Sequence, residues 1–256
     1  MKPVIARSVL FSVFVAVIGY FLTGVLHTSV FMDDIGGISA FLTVFGTLYG
    51  ILAAFIVFEV WTQFNTNSKL IDKEAQGLER LFRLTLYFRD DALTTQMNAA
   101  IHEYAQLVVD GDFQTIAAGG RNNLTSVSFR KIAGIIRDVE FNDDHDAIVF
   151  GQILEHYGEL AQIRTERLNE ALTRLPSLLQ LFIYISSFFA LLTFLFMPFA
   201  NLYYALVSMM IIAFLQAMIF QIIEDLDNPF IGHWNLTPNP YARAIKHIDQ
   251  DYPRRA

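Results

Sequence analysis

Four stretches of this chain are long and apolar enough to cross a lipid bilayer as helices: Ser8 to Leu26, Ile38 to Val60, Leu178 to Phe196 and Leu202 to Ile223. A hydrocarbon core of about 30 Å calls for about 20 apolar helical residues. Inside it only helices and closed barrels satisfy their own backbone groups. The chain is 54% hydrophobic and 17% charged over 256 residues, and the apolar residues are gathered in blocks, which is the distribution of an integral membrane protein. The predicted fold is therefore all-α, a four-transmembrane-helix membrane protein with a helical cytoplasmic domain inserted between the second and third spans. The expected division is 1–63 for the first transmembrane helix pair, 64–176 for the helical cytoplasmic domain, 177–224 for the second pair and 225–256 for a cytoplasmic C-terminal tail.

Charge orients these spans. The loops His27 to Gly37 and Met197 to Asn201 hold no Lys or Arg, so all 18 basic residues fall on the other side. That bias places both termini and the middle domain in the cytoplasm. Lys2 and Arg7 ahead of an apolar run also resemble a secretory signal, but Val25-Leu26-His27-Thr28 lacks small residues at cleavage spacing, and an uncleaved first span is expected. A net charge of −7 excludes a general nucleic-acid binder, and the absence of Cys excludes disulfides, thiolate nucleophiles and Cys-containing metal sites.

The second span carries the most information. Gly46, Gly50 and Ala54 recur at every fourth position and form a helix-packing face, either within one subunit or between copies, because in lipid it is close packing that drives association. Ile51, Phe55 and Glu59 form a second stripe at the same spacing and are the pore-lining candidates. Around a symmetry axis they would stack two apolar rings above an acidic one. Glu59 also suits an interfacial position beside the belt residue Trp61, since a carboxylate in hydrocarbon is costly. The span passes without Pro into Lys69 to Arg83, where Leu70, Ala75, Leu78, Leu81, Phe82 and Leu86 repeat with helical period.

Further soluble helices are expected at Met97 to Val109, Val127 to Val139 and Ala147 to Leu175, the last with an apolar stripe of Leu154, Leu160, Ile163, Leu168 and Leu172. Phe113 to Asn123 reads as a loop or a weak helical turn. Asp138, Glu140, Asp143, Asp144, His145 and Asp146 lack the spacing of a calcium loop, and Asp143 or Asp144 suits a helix N-cap. Asp33 and Asp34 suit a solvated turn before a helix. Arg164, Arg167 and Arg174 are expected near the membrane surface, as interfacial partners of the lipid bilayer. Ser186, Ser187, Ser208 and Gln216 are expected to bond between the last two spans. Glu224, Asp225 and Asp227 oppose the macrodipole at the end of the fourth span, so a compensating arginine, or more weakly a Ca2+ ion, is expected there.

The layout, with Trp61-Thr62-Gln63-Phe64-Asn65 after the second span, Glu74-Ala75-Gln76-Gly77-Leu78-Glu79-Arg80-Leu81 further on and Asp225-Leu226-Asp227-Asn228-Pro229-Phe230 after the fourth, resembles the bacterial bestrophin-like membrane proteins. These are similar in turn to bestrophins, homopentameric anion channels whose second spans line an apolar neck. The resemblance implies a bacterial inner (plasma) membrane location, a homo-oligomer, permeant ions as partners, a neck near Ile51 and Phe55, and a calcium clasp in the position of Glu224 to Asp227. The chain departs from that pattern in its single Trp61, its shortened acidic run and Glu59, which disfavours anions on an axis. The reading is an oligomeric ion channel, with a non-conducting membrane-anchored scaffold or signalling protein as the alternative. No catalytic residues are identified: the six histidines are dispersed, and no Ser/His/Asp set, phosphate loop or metal-helix motif occurs. An enzyme is not expected, and neither is a cofactor beyond the weak Ca2+ candidate.

Overall fold

The structure is a computed structural model that describes residues 2–25, 35–140, 144–197 and 199–252. The expectations for Asp33, Asp34 and Asp143 lie outside the described residues. Helix after helix follows: α1 (Lys2–Val25), α2 (Ile35–Thr85), α3 (Asp91–Leu107), α4 (Phe113–Ala117), α5 (Asn123–Arg137), α6 (Asp144–Glu170), α7 (Ser177–Phe196), α8 (Leu202–Asp227) and α9 (Asn239–Asp251). Among the described residues there is no strand. Four helices satisfy the length and apolarity of a membrane span, with windows at Pro3–Leu22, Ile35–Phe88, Ser177–Phe194 and Leu202–Asp227.

The chain forms two compact units, one of Met1–Thr62 with Arg174–Asp227 and one of Gln63–Thr173 with Asn228–Ala256. α2 contributes its apolar part to the first and its amphipathic part to the second, with no break in the helix, because no Pro or paired Gly interrupts residues 38–85.

In the first unit α1 packs along α8. The approach is close: a Cβ on Gly19 would stand 2.8 Å from Met209 Sδ. Gln221 Nε2 donates to Ser8 Oγ at 2.5 Å and so ties the same two helices where lipid offers no competing partner. α7 and α8 pair through the short turn that the sequence predicts.

In the second unit the period of α2 continues as Leu70, Ile71, Ala75, Leu78, Leu81 and Phe82, all buried, and from Ile71 onward these share one core with residues of α3, α5, α6 and α9. Each fully enclosed Leu or Phe contributes about 1.5–3 kcal/mol by leaving water. Asp90 starts α3 by accepting from the amides of Ala92 (2.7 Å) and Leu93 (3.1 Å), so the helix begins before the expected Met97. Nor does the helical path stop at the expected Val109. The chain widens into a π turn over Val108–Asp112 and runs on into α4. On α6 the buried stripe is Val149, Ile153, Leu160 and Leu168, continued by Ala171 just past its end, whereas Leu154 is exposed. The tail contains a helix that the sequence reading missed. In α9, Tyr241, Ala244 and Ile248 are buried at helical spacing, after a first turn preset by Pro238 and Pro240.

Candidate functional site

The apolar part of α2 has two unlike sides. Ala53, Ile56 and Val60 are buried, and Tyr49, on the same side at about 100° per residue, points to α7. Tyr49 Oη lies 2.8 Å from Ser187 Oγ, which itself donates to Ile183 O at 2.8 Å, so the tyrosine is the donor of the pair. Gln216 Nε2 of α8 donates to Ser187 O at 3.4 Å. A polar chain thus links α2, α7 and α8 through Ser187. Ser187 and Gln216 serve the interhelical role expected of them.

The opposite side of α2 is largely exposed among the described residues. Ile51 is 50% exposed and Phe55 68%, and Glu59 is exposed on the flank of the same surface. Gly46, Gly50 and Ala54 form the other flank, also exposed, and a Cβ added to Gly46 or Gly50 would meet no atom within 4 Å. Among the described residues, Gly46 and Gly50 are thus not in close contact with another helix. Between α2 and the α7–α8 pair a groove of about 530 Å³ is left, lined by Leu42, Phe45, Gly46, Phe194, Leu215 and Gln216 among others. The helix is therefore seated on its neighbours along one narrow strip.

Two of the interfacial arginines are corrected. Arg167 has no exposed surface and lies inside the second unit: its Nε donates to Glu74 Oε2 at 2.6 Å and its Nη1 to Asp112 Oδ2 at 3.1 Å, both partners also fully buried. Arg164 donates from Nε to Tyr104 Oη (3.1 Å) and from Nη2 to Ser126 Oγ (3.0 Å), with its guanidinium 5.1 Å over the Phe129 ring. Tyr104 in turn donates to Glu74 Oε1. Two arginines and two carboxylates balance around one tyrosine, which is how an enclosed charge is tolerated. Burial opposes the charge of Arg167, but Glu74, Tyr241, Tyr104 and Asp112 together outweigh it and raise its pKa well above the ordinary value. Burial, with Glu74 beside it, pushes the Tyr104 hydroxyl far up, and burial does the same to Tyr241.

This network was missed, though part of its signal was present. Glu74 stands between Ile71 and Leu78 on the buried face of α2, and Arg167 beside Leu168 on that of α6, so each is a charge at a core position. Asp112 gives no such sign, since the π turn that turns it inward has no sequence mark.

Arg174 stands just ahead of α7, where burial lowers its pKa and Asp227 acts against that. Trp61 is 45% exposed at the end of the first unit's part of α2. Asp227 accepts from the Leu175 amide at 2.5 Å, and Glu224 accepts from Tyr184 Oη at 3.0 Å. Among the described residues no three His, Asp or Glu side chains gather in a way that would hold a metal ion, so Glu224, Asp225 and Asp227 are not brought together as a ligand set. Asp227 instead occupies the orphan amide ahead of α7.

A family model described as a Bestrophin-like domain matches residues 6–241. The chain belongs to the bestrophin-like family of membrane proteins. No curated protein sequence matches it. It is similar in fold to variants of a bacterial bestrophin homologue from Klebsiella pneumoniae. One gives a TM-score of 0.71 at 14% identity over 98% of this chain and 99% of that one. A second gives 0.68 at 14% identity over 96% of each chain. A further structure, described as a membrane protein, gives 0.69 at 14% identity over 96% of this chain and 97% of its own. The all-helical arrangement with four membrane helices is thus the bestrophin fold.

Proposed function

We propose that several copies of this chain assemble in the bacterial inner membrane into an ion channel whose axis is lined by α2. The observation that carries the reading is the two-sidedness of α2: Tyr49, Ala53, Ile56 and Val60 hold it to its own subunit, while Ile51 and Phe55 point the other way, uncovered. Apolar side chains facing an axis form a constriction that wets and dewets, which is a gate. The open flank of Gly46, Gly50 and Ala54 supports contact with an adjacent copy, since small residues let helices approach. Five copies follow from the bestrophin resemblance alone. The one-sided distribution of Lys and Arg puts the helical unit and both termini in the cytoplasm.

On such an axis Glu59 would set the sign of the permeant ion. A ring of carboxylates at the end of an apolar constriction attracts cations and repels anions. The test is the reversal potential of purified protein in planar bilayers under a salt gradient. Cation preference is expected, and Glu59→Gln is expected to weaken it. An oligomer that passes no ions under any gradient would contradict the channel and support the non-conducting scaffold.

A further inference from the structure

In the second unit α9 is strapped to α2 and α3 by contacts that include two histidines. His102 of α3 has Nδ1 2.9 Å from the carbonyl oxygen of Asn98 and Nε2 3.0 Å from Asp249 Oδ1 on α9. The second is an ion-pair approach lying off the N–H axis. Both atoms that the ring faces are acceptors only. A neutral imidazole that donates from Nδ1 to Asn98 leaves the lone-pair edge of Nε2 beside a carboxylate, whereas an imidazolium keeps the Asn98 bond and puts a positive charge next to Asp249. The ring is also sheltered, with 13% of its side chain exposed. On α9 itself His247 Nδ1 lies 3.1 Å from Glu79 Oε2 of α2.

We propose that α9 is a pH-sensitive strap, held to α2 and α3 by the protonated rings of His102 and His247 and loosened when they lose their protons. The charges around the two rings agree with this. Asp249 of α9 faces His102 and Glu79 of α2 faces His247; Glu79 also pairs with Arg83 at 2.6 Å and Arg83 with Asp251 at 2.8 Å, while Asp72 meets Arg243 at 3.5 Å and Glu103 meets Lys131 of α5 at 2.5 Å. The strap ties down side chains that belong to the core: Tyr241, Ala244 and Ile248 are buried under it, and Tyr252 meets the Phe82 ring edge-on at 6.2 Å. Release would therefore uncover apolar surface at the end of the α2 extension, so the strap couples acidity to the packing of that helix.

Hydrogen–deuterium exchange of the detergent-solubilised full chain tests the strap through peptides covering 239–252. After correction for intrinsic exchange, protection is expected to be about fivefold higher near pH 5.5 than near pH 8. His102→Gln and Asp249→Asn, the second at a half-exposed side chain that the fold tolerates, should each remove most of that difference, and His247→Gln the remainder. Equal protection at both pH values, or a difference that survives both His102→Gln and Asp249→Asn, overturns the proposal.

Discussion

Arg167 Nε stands 2.6 Å from Glu74 Oε2, and neither side chain shows any surface. The pair joins α6 to the extension of α2, and Asp112 completes it from the π turn at 3.1 Å. Arg167→Met leaves two carboxylates enclosed without a cation and is expected to cost about 3–5 kcal/mol. Arg167→Lys should recover less than half of this, because an ammonium does not span both acids as a guanidinium does. Chemical unfolding of the detergent-solubilised protein, followed by circular dichroism, checks both.

Tyr104 bridges the same network, accepting from Arg164 and donating to Glu74. Tyr104→Phe should cost about 1–3 kcal/mol, because it leaves both partners short of a bond in a buried place. It should also change the alkaline limb of stability. The folded hydroxyl has a raised pKa while the unfolded one ionises near its ordinary value of about 10. Its contribution is thus complete below about pH 10 and is lost as the pH climbs further. Parent protein loses stability over that range, and Tyr104→Phe should lose less, as thermal melts at a series of alkaline pH values will read. Tyr241, raised in the same sense, accounts for the slope that remains.

The Tyr49 to Ser187 bond seats α2 on α7. Hydrogen bonds between membrane helices contribute about 0.6 kcal/mol on average and up to about 1.7. Tyr49→Phe and Ser187→Ala are each expected to fall in that range, and the double variant to cost no more than the larger single one. Additive losses in the double-mutant cycle would show that the two side chains are not coupled.

Much of the fold was legible because the membrane imposes a coarse rule. Length and apolarity located α1, α2, α7 and α8, and the unbroken period from Ile38 to Leu86 foretold that α2 continues beyond its span. What escaped the sequence has physical reasons. α9 lay unread in a polar tail, although Tyr241, Ala244 and Ile248 repeat correctly, because its short apolar stripe is diluted by Arg243, Lys246 and Asp249. Arg167 was taken for a surface charge because arginines before a span are ordinary there. The opposing carboxylates of Glu74 and Asp112, both far away in sequence, explain its burial. Ile51, Phe55 and Glu59 were legible as a stripe, but which way they face needed the buried Ala53, Ile56 and Val60 on the other side.

The natural chain has no cysteine, so single cysteines report on α2 without background. The most direct test of an α2-lined axis is the current through reconstituted Ile51→Cys, Phe55→Cys, Ala53→Cys and Ile56→Cys proteins before and after a membrane-impermeant thiol reagent. Block at 51 and 55 with none at 53 and 56 is the predicted result. Block at 53 and 56 with none at 51 and 55, or no current in the parent protein, would contradict it.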